Sequence, residues 1–100
     1  MKLIQANPKA DNEQTILSAL NSKERSLRGG RTTFFKDGKT KWKHKNFAGW
    51  VTITSAPENI LFAKVQSKSQ AEEAKIFEAF VCYLTRHCGD LIDSLTIYYR

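Results

Sequence analysis

Apolar positions follow two rhythms along this chain. In its C-terminal half, Phe77, Phe80, Val81, Leu84 and Cys88 recur at i, i+3, i+4, i+7 and i+11, and Ile76, Ala79 and Tyr83 widen the stripe. That spacing predicts an amphipathic helix. Ser67 or Ser69 is its expected cap, Glu72 and Glu73 lie near its positive end, and Gly89 reads as the glycine that ends it. A shorter stripe of Ile16, Leu17 and Leu20 predicts a helix over residues 12–22. Asp11 with Gln14 supplies a capping box for it, and Asn21-Ser-Lys-Glu-Arg-Ser is expected to end it.

Elsewhere the alternation is strand-like. Leu3 to Ala6 reads as a short edge strand closed by Asn7-Pro8. The paired glycines of Arg28-Gly-Gly-Arg31 read as a flexible linker. Residues 32–36 are β-prone, and Asp37-Gly38 predicts a two-residue hairpin. The returning strand starts at Lys39 and runs to Ile53, with Gly49 marking a bulge at Ala48-Gly49. Its phase matters. With the bulge, Trp42 and His44 share a side with Val51 and Ile53, while Lys39, Lys41, Lys43 and Lys45 face outward with Trp50. The alternative drives four lysines into a core face. Residues 55–59 form a turn. In residues 60–66, Ile60, Phe62 and Lys64 oppose Leu61, Ala63 and Val65, and apolar residues on both faces predict a central strand. In residues 91–99, Ile92, Ser94, Thr96 and Tyr98 oppose Leu91, Asp93, Leu95, Ile97 and Tyr99. The expected fold is α+β: an antiparallel, mostly meandering sheet of four to five strands with two helices on one face, in the order (β)-α-β-β-β-α-β.

Length and composition bound this picture. One hundred residues, 41% of them hydrophobic, suit one compact domain spanning 1–100. No apolar run approaches a membrane span and none opens the chain as a signal peptide would, so a cytoplasmic protein without membrane insertion is expected. Cys82 and Cys88 lie too far apart on a helix to be bonded and read as reduced thiols.

Charge changes the picture most. Net charge is +6, yet residues 23–45 alone carry nine basic and two acidic residues, a net +7, so the other 77 residues sum to −1. A local basic patch concentrates anionic partners. Lysines meet phosphates and rings stack on unpaired bases. The expected function is a small non-catalytic module that contacts nucleic acid or another polyanion, such as an acidic protein surface. Its candidate contacts are Arg28, Arg31, Lys36, Lys39, Lys41, Trp42, Lys43, His44 and Lys45. The alternative is a homodimer, a partner-binding protein or an apolar-ligand binder using the open sheet face, on which Phe62, Tyr98, Ile92 and Trp50 are candidates.

Lys45-Asn-Phe-Ala-Gly-Trp-Val-Thr-Ile53 resembles the RNA-recognition-motif signature, a basic residue followed by alternating aromatics on a strand. It departs through the extra Gly49 and through a further strand before the second helix. The helix–three strands–helix order is similar to that of double-stranded-RNA-binding domains, but Ser67-Lys-Ser-Gln-Ala-Glu-Glu-Ala-Lys75 lacks paired lysines at its helix start. Neither resemblance assigns a residue. His44, Cys82, His87 and Cys88 show no metal-ligand spacing, so neither a metal nor any other cofactor is expected. His44 among lysines is the only general-base candidate and has no second group at a telling spacing, so the reading leans away from an enzyme.

Overall fold

A computed structural model describes residues 1–10, 14–28, 30 and 32–99. Its elements are β1 (Lys2–Pro8), α1 (Ile16–Leu27), β2 (Phe34–Lys36), β3 (Lys41–His44), β4 (Trp50–Ser55), β5 (Leu61–Gln66), α2 (Gln70–Cys88) and β6 (Ile92–Tyr99). The fold is α+β. The six strands form one antiparallel sheet in the order β2-β3-β4-β5-β1-β6. Four consecutive strands meander, and the chain's first strand is then clasped between β5 and β6.

The count rises to six because residues 39–53 are not one bulged strand. The chain reverses between His44 and Trp50, so β3 pairs with β4. Gly49 sits in that reversal with φ of +142° rather than inside a strand. The reversal is anchored from within: Phe47 packs on His44 with ring centroids 4.5 Å apart, and Ser67 Oγ donates to the Ala48 carbonyl at 2.7 Å. The expected facing survives, with Trp42, His44, Val51 and Ile53 all buried on one side.

Other boundaries shift for local reasons. β1 is internal, not an edge, and runs through Pro8, because Ile4 and Ala6 are fully buried and both flanks are paired. The connection after β2 spans residues 37–40 instead of two, with Gly38 at φ +115°. Helix α1 starts at Ile16 under Thr15, whose hydroxyl accepts from Ser18 N at 3.0 Å. The expected cap Asp11 lies outside the described residues. The helix also continues to Leu27, because its inner stripe extends from Ile16 and Leu20 to a buried Glu24. Ser69, not Ser67, caps α2, accepting from Glu72 N at 3.3 Å. Gly89 stays right-handed, at φ −54°, and leads into a short 3-10 turn rather than closing the helix in left-handed form.

One core gathers the inward strand residues and the helix stripes, including Phe34, Trp42, Leu61, Val65, Ile76, Phe80 and Leu84. Both helices lie on that face, α1 against α2 and β2, and α2 against β5. Among the described residues, the opposite face of the sheet carries no helix. No helix among the described residues is long and apolar enough to cross a membrane.

The open face of the sheet as a candidate binding surface

Strand alternation places every second side chain on the open face, and the register sets them in rows. Phe35 of β2 stands opposite Lys43, Lys43 opposite Trp50, and Trp50 opposite Gln66. The next row runs Lys41, Thr52, Lys64, Leu3, Tyr98. A third runs Thr54, Phe62, Gln5, Thr96. Three lysines and four rings thus share one surface, and the three rows hold no carboxylate.

Polar contacts hold this surface in shape. The Lys41 ammonium lies 4.8 Å from the Trp50 ring centroid, and the indole N–H donates to Gln66 Oε1 at 3.2 Å. Tyr98 Oη donates to Gln5 Oε1 at 3.2 Å, Gln5 Nε2 to Asn7 Oδ1 at 2.9 Å, and Asn7 Nδ2 to Ser94 Oγ at 3.0 Å. Lys43 meets Asp37, at the hairpin, at 3.0 Å. Lys41 and Lys64 have no ion-pair partner among the described residues. Between β4, β5 and β1 the face dips into a groove of about 400 Å³ lined by Met1, Leu3, Thr52, Thr54, Phe62 and Lys64.

The residues expected to form the site are divided by the fold. Lys41 and Lys43 stand on the open face. Lys39 in the hairpin loop and Lys45 just beyond β3 are exposed near its rim. Lys36 leans toward the core side, its ammonium 6.0 Å from the Trp42 centroid. Arg28 follows α1, on the other side of the sheet, and binds the Glu24 carboxylate through Nη2 and, at 3.3 Å, Nε. Arg31 lies outside the described residues. Trp42 and His44 are corrections. They are 0% and 8% exposed and pack with Tyr83 and Phe34, so no ligand reaches them. Burial holds the His44 imidazole below its ordinary pKa, and its Nδ1 accepts from Asn46 N at 2.9 Å. It is a neutral structural ring. The likeness of residues 45–53 to one aromatic strand also dissolves, since residues 45–49 form the reversal.

Lys64, Thr52 and Thr54 are the residues of this face that charge counting does not find, whereas Phe62 is already an open-face candidate in the sequence. Alternation in residues 60–66 had already placed Phe62 and Lys64 on one side. What it could not supply was the neighbour relation that puts β5 between β4 and β1. Ile92, expected on the open face, packs against the core, because β6 carries an extra residue at Asp93 where Asn7 pairs with Ser94 and Pro8 with Ile92.

The thiols are free. Cys82 is exposed, and burial pushes the Cys88 thiol up to about 11. No group of three or more His, Cys, Asp and Glu residues able to hold a metal ion comes together among the described residues. No family model, curated protein or solved structure matches this chain.

Proposed function

We propose that this protein is a nucleic-acid-binding module that receives its ligand on the open sheet face. One observation carries the reading: Lys41, Lys43 and Lys64 are interleaved with Phe35, Trp50, Phe62 and Tyr98 on a surface whose three paired rows hold no carboxylate. Ammonium groups release counterions from phosphates, and rings offer stacking platforms, of which Phe35 and Tyr98 are exposed and Trp50 and Phe62 half-buried. An acidic protein surface would use the lysines and leave the rings idle. The site is therefore narrower than the basic segment 23–45, and it takes in a lysine from outside that segment.

The test is a salt titration of DNA binding by the wild type and by Lys41→Glu/Lys43→Glu/Lys64→Glu. Each phosphate contact contributes roughly 0.7 to 0.9 to the slope of log K against log salt. The wild type is expected to show a slope near −2 to −3, and the triple variant to lose most of it with at least tenfold weaker binding. Equal binding by the two proteins at about 150 mM salt would remove the proposal.

A homodimer is the second reading, favoured by a different feature. The outer edge of β6 is eight residues long with Asp93 its only charge. A second copy fits that edge better than it fits the open face, where copies stacked face to face would confront lysine with lysine.

A further inference from the structure

Resting on the nucleic-acid reading, we infer that the groove between β4, β5 and β1 seats one unpaired base, which makes the ligand single-stranded. The groove supplies each part of a nucleotide with a matching group. Phe62 and Leu3 give an apolar wall for the flat face of a base. Thr52 and Thr54, two apart on β4, present hydroxyls that both donate and accept, as the edge of a base requires. Neither hydroxyl has a hydrogen-bond partner among the described residues, so both are available to a guest. Lys64 stands directly opposite Thr52 and one row, roughly 7 Å, from Phe62, with no carboxylate to neutralise it. An ammonium at that offset meets a backbone phosphate while the ring holds the base.

Charge complementarity selects this occupant over an apolar one. Lys64 is exposed at the lip of the groove, and Lys41 lies in the same row beyond Thr52. An uncharged apolar guest would leave both unanswered, and a guest with a single carboxylate would answer one of the two. A duplex keeps its bases paired and stacked inside, and the shallow side chains of a sheet face cannot reach them. A splayed strand presents them directly.

The experiment compares a fluorescein-labelled oligothymidylate with a duplex of the same length by equilibrium anisotropy at one salt concentration. Wild type is expected to bind the single strand at least tenfold more tightly. Phe62→Leu should lower single-strand affinity roughly tenfold, the worth of one stacked base, and Thr52→Val/Thr54→Val, separately, should lower it roughly tenfold through two lost hydrogen bonds. Duplex affinity and the salt slope should hold. The valine pair preserves β-branching and strand shape, and thermal melts of both variants confirm the fold. If both variants bind oligothymidylate like wild type while the triple lysine variant does not, the base seat is wrong and the nucleic-acid reading survives. If wild type binds neither DNA, both fall.

Discussion

Two glycines show how much a single residue's surroundings decide. A Cβ built on Gly49 would lie 2.7 Å from the Gln66 carbonyl oxygen, 2.7 Å from Ile76 Cδ1 and 2.9 Å from Ser67 Cβ, at a φ of +142° that side chains avoid. The reversal into β4 therefore depends on a missing side chain, because the backbone passes hard against β5 and α2 there. Gly49→Ala should cost about 2–4 kcal/mol, strain and clash together. Gly89 has the opposite setting: right-handed backbone and nothing within 4 Å of its would-be Cβ. Gly89→Ala should be neutral or stabilising by up to about 1 kcal/mol, since it only narrows the unfolded ensemble. Denaturant melts of the two variants check the pair, and a harmless Gly49→Ala would show that the reversal is looser than described. In the sequence both glycines read as punctuation. Only the three-dimensional neighbours separate a glycine that must be there from one that need not.

At the scale of elements, periodicity carried the reading well wherever apolar residues were enough to define a face. The inward sides of residues 60–66 and most of α2 follow directly from spacing. It failed where a polar residue did an apolar residue's job. Glu24 continues the α1 stripe, yet a carboxylate at a helix end reads as solvent-facing. It is buried because Arg28 pairs with it and the Lys36 backbone N–H donates to it at 3.3 Å, tying α1 to β2. The Arg28 hydrogen bond dominates, outweighs burial and holds the carboxyl below its ordinary 4.5. A lowered acid pKa means stability that is full above about pH 4.5 and lost as pH falls through the folded value. His44 between β2 and the reversal acts higher. Burial lowers its pKa from 6.5, so protonation destabilises the fold as pH drops below that value. His87 shares this direction through burial, then Lys23 and Arg86. Thermal melts across pH should therefore show two acid limbs. His44→Phe should flatten part of the upper limb only. Glu24→Gln should flatten the lower limb only, at a cost of about 1 kcal/mol at neutral pH. A single limb untouched by either change would mean these buried groups are not what acid attacks.

For the whole molecule, strand order was the least legible property, and it has the largest consequence. No local pattern announces that the first strand closes between the fifth and the last, because both pairings join segments far apart in the sequence. The order leaves two unequal edges. β2 is three residues long and ends in Lys36, which limits pairing. β6 offers Ser94 to Tyr99 beyond its bulge, six residues without charge or proline. An edge of that kind adds another strand readily, and the symmetric partner is a second copy running antiparallel. Such a pairing would join two open faces into one twelve-stranded surface with Tyr98 near the seam, and it would lengthen the stretch of single strand one assembly covers. Sedimentation equilibrium over a range of concentrations should then give a dimer mass. Thr96→Lys, an exposed position on that strand, should shift it to monomer without changing the circular dichroism, because each copy would bring a charge against its twin. A wild type that stays monomeric at the highest concentrations would confine binding to a single six-stranded face, leaving the base seat on each copy as it is.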